Sequence, residues 1–501
     1  MIFFIISFGG AASQDAAPFN FLKSSGIEIM ASLITQSVPK TIISLAVPML
    51  AGTFALQVYN LTTTWFVSQL GTEPLAAMSF TFPVVMLVGF ALMSIGTGTM
   101  TVVAYALGGG KHEKAARVTS HSVLLMLLVS FILCVLGFAT AEPLFRKMGA
   151  EGHVLELTCD YMRIFYLGMG IQCLQNMFIN IITCTGNTKV SSALMVTGTV
   201  LNLAISPFLI FGLAGFPRME IKGAALATII AQGIILVISW RILYKKHHLL
   251  NADVRSRRRI LISWRRVLNM GLPAVYSSVL TPICLGINTK LAAGFGTPVV
   301  AALGVTGRLE MFSCLIPMSI GMTLTPFIAQ NYGAGRIDRI RQGKNIAMTF
   351  AMTYGLAMAA VFYLFTPSIA PFFSQDEEVI KVIIKYIYIT CTCYGALEVF
   401  RYCTFVMNGL QRPMFSAGLN TIRIVFLLIP GFIIGAHFWG VDGLFAARLI
   451  CDFLACGCGV IITNIVLART EKSRDIVQPE LRDRHPSHEQ RRRDYPENNV
   501  R

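Results

Sequence analysis

Residues 123–141 read VLLMLLVSFILCVLGFATA and contain no Asp, Glu, Lys or Arg. A second run without these residues extends from Ile229 to Trp240. A helix of about 20 apolar residues crosses the hydrocarbon core of a bilayer, where the backbone must satisfy its own hydrogen bonds. Continuous apolarity, rather than two-residue alternation, indicates helices and not a barrel. The sequence therefore predicts an all-α polytopic membrane protein.

The composition of the whole chain agrees with this prediction. Of the 501 residues, 54% are hydrophobic and 13% are charged, against about 25% charged residues in an ordinary soluble domain. The pattern predicts twelve transmembrane helices. The first six lie near residues 41–69, 76–105, 119–141, 155–183, 191–214 and 222–245. The second six lie near residues 267–292, 301–330, 345–366, 380–408, 416–438 and 442–468.

The chain repeats itself at a distance of 225 residues. Met93-Ser94-Ile95-Gly96 returns as Met318-Ser319-Ile320-Gly321, and Pro48 returns as Pro273. A shared offset through separate motifs indicates two similar units, here of six helices each. Since six spans return the chain to the side from which it started, the repeats are parallel. Parallel repeats related by an axis along the membrane normal are typical of secondary transporters.

The repeats predict five parts of the chain. They are an N-terminal segment (1–37), an N-terminal six-helix lobe (38–246), a basic cytoplasmic linker (247–264), a C-terminal six-helix lobe (265–468) and a charged, disordered cytoplasmic tail (469–501). The first eight residues are apolar but lack a basic region, so they make a poor signal peptide. One hypothesis is that translation starts at Met30, shortly before the first repeat.

The placement of Lys and Arg predicts the orientation. Short basic loops stay cytoplasmic, and alternate loops of this chain are basic. Their basic residues include Lys111, Lys114, Arg117, Arg336, Arg339, Arg341, Lys344 and Arg412. Both termini are therefore predicted to be cytoplasmic. The net charge of +16 does not indicate nucleic-acid binding, because topology and anionic lipid account for cations at the ends of spans. The cysteines lack metal-site spacing, so we expect no metal.

Three motifs resemble one family. They are Leu45-Ala-Val-Pro-Met-Leu50, Gly304-Val-Thr-Gly-Arg-Leu-Glu310 and Leu324-Thr-Pro-Phe-Ile-Ala-Gln-Asn-Tyr-Gly-Ala-Gly335. Together they resemble the multidrug and toxic compound extrusion (MATE) family, in its bacterial DinF-like branch, over most of residues 38–468. The resemblance implies two six-helix lobes around a central cavity in the bacterial inner membrane. It also implies a secondary active antiporter that exports amphipathic, often cationic organic compounds in exchange for H⁺ or Na⁺.

We accordingly expect a transporter and not an enzyme. Its partners would be a small organic substrate, the driving ion H⁺ or Na⁺ and the lipid bilayer. We expect it to need no cofactor beyond the ion gradient and to work as a monomer. No span offers a His-rich constellation typical of a membrane-embedded enzyme. The alternative function is a flippase for a lipid-linked precursor, since related two-lobe families move such lipids.

Coupling to an ion requires a group whose charge changes when the ion binds, and an embedded carboxylate has this property. Glu310, Glu398 and Asp452 are the candidates. Arg401 lies three residues after Glu398, and Arg448 lies four residues before Asp452. Residues at these spacings share a helix face, so structural ion pairs are an equally good interpretation of both carboxylates.

Glu310 has a different local setting. It lies two residues after Arg308, and residues at this spacing do not share a helix face. It is therefore the favoured coupling candidate of the three. The alternative interpretation of Glu310 is an ion pair with Arg308 of a neighbouring turn or with Arg423, since Arg423 has no evident carboxylate on its own helix.

The first span departs from the family pattern. Many members carry an Asp in this span, where the present sequence has Thr63, which cannot take up a proton or form an ion pair. A second acidic position of some members falls near Thr281-Pro282 and is also missing. We therefore expect coupling in the C-terminal lobe. A Na⁺ site built from Thr63, Asn60 and Asn180 is the alternative, against ordinary hydrogen bonding between helices.

A second set of side chains is predicted to line the substrate cavity. Methionines and aromatic rings adapt to varied apolar cations, although helical stripes of such residues are more often core or lipid-facing. Arginines would suit the phosphate of the flippase alternative. The cavity candidates are Tyr59, Asn60, Thr63, Asn180, Met311, Arg308, Arg401 and Arg423.

Overall fold

A computed structural model describes residues 33–250 and 256–484. Met30 therefore lies outside the described residues. Within them the chain is helical and no strand occurs. The helices of the first lobe are α1 (Val38–Ser68), α2 (Thr72–Gly108), α3 (His112–Lys147), α4 (Gly152–Cys184), α5 (Thr188–Phe211) and α6 (Glu220–Lys245). The remaining helices are α7 (Arg257–Ala293), α8 (Thr297–Ser313), α9 (Leu315–Gly333), α10 (Ile337–Ile369), α11 (Glu377–Thr390), α12 (Tyr394–Gly409), α13 (Pro413–Thr421) and α14 (Ile429–Arg484).

By length and composition, ten described helical stretches could cross a membrane, or eleven if α8 and α9 form one bent span. The longest stretch, Pro413–Lys472, contains two of the predicted spans. Gly440 breaks it with φ 61° and ψ −137°, a conformation that favours glycine. Gly435 and Gly443, on the two sides of this break, pack against each other, which shows that the chain reverses its direction there. Dividing the stretch at Gly440 yields the twelve spans that the sequence predicts.

The bend between α8 and α9 has a local cause. The two helices meet at 55°. Pro317 has no N–H, so the carbonyl of Ser313 lacks its ordinary partner one turn later. The hydroxyl of Tyr354 donates to that carbonyl at 2.8 Å. Tyr402 donates at 2.8 Å to the carbonyl of Pro317 itself. The single span predicted at residues 301–330 therefore consists of two helices joined at this bend.

The two repeats meet through a contact that occurs twice. A Cβ added to Gly108 would lie 2.0 Å from the carbonyl oxygen of Gln330, and one added to Gly333 would lie 2.2 Å from that of Tyr105. Both pairs of equivalent residues are separated by the repeat distance, so each contact is the image of the other. Likewise α2 packs against α7, and α9 packs against α1. The repeats are therefore related by a pseudo-twofold axis at this α2–α9 contact, in agreement with parallel repeats.

Helices α1 and α7 each belong to both lobes. Val38 and Ile42 of α1 pack in a hydrophobic cluster with residues of α9, α10 and α12. Val267 and Met270 of α7 pack in the core of the N-terminal lobe. The outer ends of both helices, beyond Pro48 and Pro273, pack within their own lobes. Just after Pro273, Ser278 of α7 still lies 2.9 Å from Ser94 of α2. Proline favours a bend because the ring removes a helical hydrogen bond.

The structure differs from the prediction at the linker and at the tail. Residues 257–264 of the predicted linker are the first turns of α7. There, His121 Nδ1 lies 2.9 Å from the Ser263 hydroxyl, and the Trp264 indole donates to the His121 carbonyl at 2.8 Å. Helix α14 continues to Arg484, so the first part of the predicted tail is helical.

His247, which follows α6, predicts a pH effect on stability. Its ring is 3% exposed and its nitrogens have no hydrogen-bond partner among the described residues. Burial, with the nearby charges of Lys246, His112 and His248, lowers the pKa of His247 from 6.5 to about 4. Between these values the unfolded chain binds a proton that the folded protein does not. Stability therefore falls as the pH drops from about 6.5 to about 4, by ~3 kcal/mol at most.

We expect thermal unfolding midpoints measured from pH 7 to pH 4 to fall less steeply for His247→Leu than for the wild type. The exposed His248 is the control, and His248→Leu should retain the wild-type slope. If His247→Leu kept that slope too, burial of His247 would not be the cause.

Candidate functional site

Four charged residues form a chain of ion pairs in the C-terminal lobe. Arg448 of α14 donates through Nη2 to Glu310 Oε2 at 2.9 Å. Its Nε lies 3.7 Å from Asp452 Oδ2. Arg423 donates to Asp452 Oδ1 at 2.8 Å from both Nε and Nη2. The Asp452 side chain is fully buried, and Glu310 is 16% exposed. Charges buried in a span are costly unless paired, and here each has an opposite partner.

Local structure explains this arrangement. Arg448 and Asp452 are one helical turn apart on α14, which places them on one face. Arg423 lies in the π-helical segment Ile422–Leu428, and such segments often occur at functional sites. The Arg423 guanidinium also lies 5.5 Å from the centre of the Phe400 ring. The segment therefore directs Arg423 toward α14.

Two tyrosines complete the surroundings of Glu310. Tyr386 of α11 donates to Glu310 Oε1 at 2.9 Å, and Tyr394 of α12 donates to the same oxygen at 3.3 Å. Arg448 also bonds to the Tyr386 hydroxyl. Glu310 thus has three donors from three other helices. Neither tyrosine is among the site residues predicted from the sequence, because their contacts with Glu310 join helices that are far apart in the chain.

A separate pair lies on α12. Arg401 Nη1 donates to Glu398 Oε1 at 2.9 Å, as the three-residue spacing predicts. The Glu398 side chain is 4% exposed, whereas that of Arg401 is 41% exposed. The second carboxylate oxygen of Glu398 is buried and has no hydrogen-bond partner among the described residues. Glu398 is therefore the least satisfied of the three embedded carboxylates.

These contacts revise how the candidate residues are related. The favoured interpretation of Glu310 treated it as locally unpaired, but it is the interhelical partner of Arg448. The alternative predicted an ion pair with Arg308 or Arg423, but Arg308 forms no ion pair among the described residues and Arg423 pairs with Asp452. The cause is the α11–α14 packing, which brings Arg448 rather than Arg423 to α8, and a sequence pattern does not contain this information.

The polar candidates of the N-terminal lobe separate into two places. Tyr59 lies 3.1 Å from the Thr228 hydroxyl, to which Asn202 donates at 3.2 Å. Thr63 donates to the Tyr59 carbonyl at 2.9 Å, while Asn60 is exposed. Among the described residues, no hydrogen bond connects this network to the third member of the predicted Na⁺ site, which lies elsewhere. No group of three or more His, Cys, Asp or Glu that could hold a metal occurs among them either.

Asn180 lines a cleft between α2 and α4. Gln172, Asn176 and Asn180 succeed one another every four residues along α4 and contribute its polar edge. Met93 and Met177 contribute apolar wall. The cleft holds about 60 Å³, less than the ~300–1,000 Å³ of typical ligand pockets. The four-residue spacing of these three amide side chains is visible in the sequence and indicates a polar face of α4, although only Asn180 was predicted as a site residue.

Two cavity candidates lie on α8. Arg308 and Met311 are exposed, and Met311 is 49% exposed. Arg308 lies on nearly the opposite face of α8 from Glu310, and Met311 lies about 100° from Glu310 around the helix. Arg308 forms no ion pair with any described residue. The structure therefore divides the three predicted cavity arginines by exposure: Arg423 is largely buried against Asp452, whereas Arg308 and Arg401 are accessible.

Comparisons with known proteins agree with this architecture. The chain is 31% identical over 422 residues to a FAD transporter of Shewanella oneidensis, covering 84% of this chain and 93% of that protein. It is 23% identical to the multidrug export protein MepA of Staphylococcus haemolyticus, covering 84% and 93%. The crystal structure of the Vibrio cholerae MATE transporter VcmN in the bent form is similar, with 27% identity and a TM-score of 0.82, covering 88% of this chain and 99% of that one.

A family model makes the decisive match. The MatE model matches residues 48–208 and again residues 273–433. The two matched ranges are separated by the same 225 residues that relate the sequence motifs, so the model recognises each repeat. The chain is accordingly a multi-pass membrane transporter and not an enzyme. It belongs to the MatE family of multidrug efflux transporters.

Proposed function

We propose that this protein is a secondary active antiporter of the bacterial inner membrane that exports amphipathic organic compounds in exchange for H⁺ or Na⁺. It needs no cofactor beyond the gradient and works as a monomer with both termini in the cytoplasm. The single observation that carries the proposal is the set of embedded carboxylates in the C-terminal lobe, each paired with an arginine. Protonation of one such carboxylate breaks an ion pair inside the lobe, which is how a gradient can act on conformation.

The contacts between lobes support alternating access. The close contacts at Gly108 and Gly333 lie beside the basic loops, which are the proposed cytoplasmic side. The outer ends of α1 (Phe66, Val67) and α7 (Cys284, Ala292) pack in hydrophobic clusters of their own lobes. The cleft between the lobes is then closed toward the cytoplasm and open to the outside, ready to release substrate and receive the driving ion.

Among the three carboxylates, we assign ion coupling to Glu398. Glu310 accepts three donated contacts and Asp452 is paired with two arginines, so protonating either one sacrifices several interactions. Glu398 has one arginine and one buried oxygen without a partner. A proton on that oxygen neutralises Glu398 and frees Arg401, whose side chain is already accessible. Ion binding at Glu398 therefore sacrifices the fewest interactions of the three carboxylates.

The test uses the full chain in proteoliposomes under an imposed pH or Na⁺ gradient, with two fluorescent cargoes, the cation ethidium and the anion riboflavin 5′-phosphate. We expect one of the gradients to accelerate transport at least tenfold in the wild type. Glu398→Gln should transport at the same rate with and without it, because the amide cannot change its charge. Glu142→Gln, in an exposed outer pair, is the matched control.

Two results would count against these assignments. Transport that neither gradient affects in the wild type would overturn the antiporter proposal. A Glu398→Gln protein with normal coupling would overturn the role of Glu398 and direct attention to Glu310 and Asp452.

A second candidate function has support from the accessible arginines. Arg308 and Arg401 are suited to phosphate, which both a lipid-linked precursor and the FAD carried by the Shewanella oneidensis relative possess. A flippase for a lipid-linked precursor would accumulate that lipid in one leaflet when the gene is deleted. An exporter of soluble compounds would instead change resistance to, or secretion of, those compounds.

A further inference from the structure

Arg308 lies near the middle of the membrane and is accessible. It is about 16 Å along α8 from Thr297, at 1.5 Å per residue, and the hydrocarbon core is about 30 Å thick. Glu310 points into the C-terminal lobe, toward Arg448 and the two tyrosines. Arg308 is about 200° away around the helix axis, so it points out of that lobe. An arginine facing lipid at this depth is costly, whereas one facing a water-filled cleft is common. Arg308 therefore faces the cleft between the lobes.

Arg401 faces the same cleft. Along α12, the residues that are not fully buried are Arg401, Phe405 and Asn408, which form one face of the helix. Just after this face, Gln411 donates to the Thr101 carbonyl of α2 at 3.0 Å, which is a contact between lobes. Phe405 of this face packs on Gly321 of α9, the helix that contacts α2 of the other lobe, so the face lies beside the contact between lobes. Arg401, about two turns before that contact along α12, has a side chain that is 41% exposed.

The opposite wall of the cleft has no mid-span charge. Met93 is 47% exposed and its repeat counterpart Met318 is 44% exposed, so a methionine flanks the axis on each side. Beyond Met93 lie the amides of Gln172 and Asn176. This wall is suited to an adaptable apolar or aromatic surface with a few polar groups.

The mid-span charges of the C-terminal lobe do not balance. The charged mid-span residues are four arginines and three carboxylates, so their net charge is +1. They are Arg308, Arg401, Arg423, Arg448, Glu310, Glu398 and Asp452. All three carboxylates are paired, and the arginine without a carboxylate is the accessible Arg308. A cleft for organic cations would need the reverse, an accessible carboxylate without an arginine.

We propose that Arg308 and Arg401 form an anion site, and that the cargo is an amphipathic organic anion bearing a phosphate or carboxylate. The inference rests on the proposed transport function and specifies its substrate class. The anionic group binds the arginines of the C-terminal wall, and the apolar or aromatic part lies against the methionines of the N-terminal wall. This reverses the cationic cargo that the family resemblance implies.

The test measures binding to the purified full chain with two fluorescent probes that differ by one phosphate. Riboflavin is neutral, and riboflavin 5′-phosphate is anionic. We expect the phosphate to increase the affinity by about tenfold or more, since a hydrogen bond to a charged group contributes enough for that factor. Arg308→Gln should remove most of the difference and leave riboflavin binding unchanged, and Arg308→Lys should restore part of it.

Three further arms complete the test. Arg146→Gln, an exposed arginine outside the cleft, should bind both probes like the wild type. A polyprenyl phosphate in place of the flavin distinguishes a lipid source from a soluble one, and binding of either anion supports the proposal. Equal affinity for the two flavins together with no binding of the polyprenyl phosphate would overturn it, as would an Arg308→Gln protein that kept the preference. Gradient-driven ethidium transport, measured in parallel, can persist or fail independently and reports on the transport function alone.

Discussion

Arg448→Gln should lower the free energy of unfolding by ~3–5 kcal/mol, the range for removing one partner of a buried ion pair. Arg448 contacts both Glu310 and Asp452, so the substitution deprives two embedded carboxylates of a positive charge. Denaturant titration in detergent micelles, followed by circular dichroism, measures the change. We also expect a lower yield of folded protein in membranes.

The matched control is Arg146→Gln, whose pair with Glu142 is 67% and 57% exposed. It should cost less than about 1 kcal/mol. The double variant Arg448→Leu with Glu310→Leu should recover part of the loss, because it removes the charge left unpaired in α8. If Arg448→Gln cost no more than Arg146→Gln, the ion-pair chain would not be buried as described.

Gly333→Ala should reduce transport by at least about 100-fold with little loss of folded protein. The added Cβ would lie 2.2 Å from the Tyr105 carbonyl oxygen, a backbone atom that cannot rotate away. Closure of the lobes at this end is then excluded, and a shift of more than ~3 kcal/mol against one state removes it from the cycle. Transport rates in proteoliposomes and thermal unfolding measure the two effects separately. Gly108→Ala should behave in the same way.

Gly457→Ala is the control, since no atom lies within 4 Å of its added Cβ. Hydrogen exchange should also become faster at residues 105–111 in Gly333→Ala, because that contact stays open. Gly355→Ala, which clashes with Gly395 inside one lobe, should instead lower the yield of folded protein. Should Gly333→Ala transport like Gly457→Ala, the contact would not be part of the cycle.

Much of the fold follows from the sequence because its cause is local. Uncharged runs such as residues 123–141 predict membrane helices, and the 225-residue offset predicts the symmetric contact of the lobes. The break at Gly440 was also anticipated as the gap between the last two spans. The bend at Cys314 was not, since it depends on Pro317 together with tyrosines from two distant helices. The packing of the first turns of α1 and α7 against the opposite lobe could not be predicted either, because an apolar helix end does not specify which lobe it contacts.

The candidate site was less predictable than the fold. Spacing on one helix predicted the pairs Glu398–Arg401 and Arg448–Asp452, and both are present. The partner of Glu310 comes from another helix, and a single sequence contains no information on that packing. The roles of these residues in coupling remain predictions, to be tested by the Glu398→Gln comparison.

The exchanged ends of α1 and α7 have a consequence for synthesis at the ribosome. The core of the N-terminal lobe includes Val267 and Met270, so it cannot be completed until the chain has grown past the first helix of the second repeat. The first turns of α1 can pack only after Phe327 and Tyr402, their partners in the C-terminal lobe, have been synthesised. Neither repeat contains all the residues of its own hydrophobic core. We therefore expect that neither repeat would fold to its native structure if it were expressed alone.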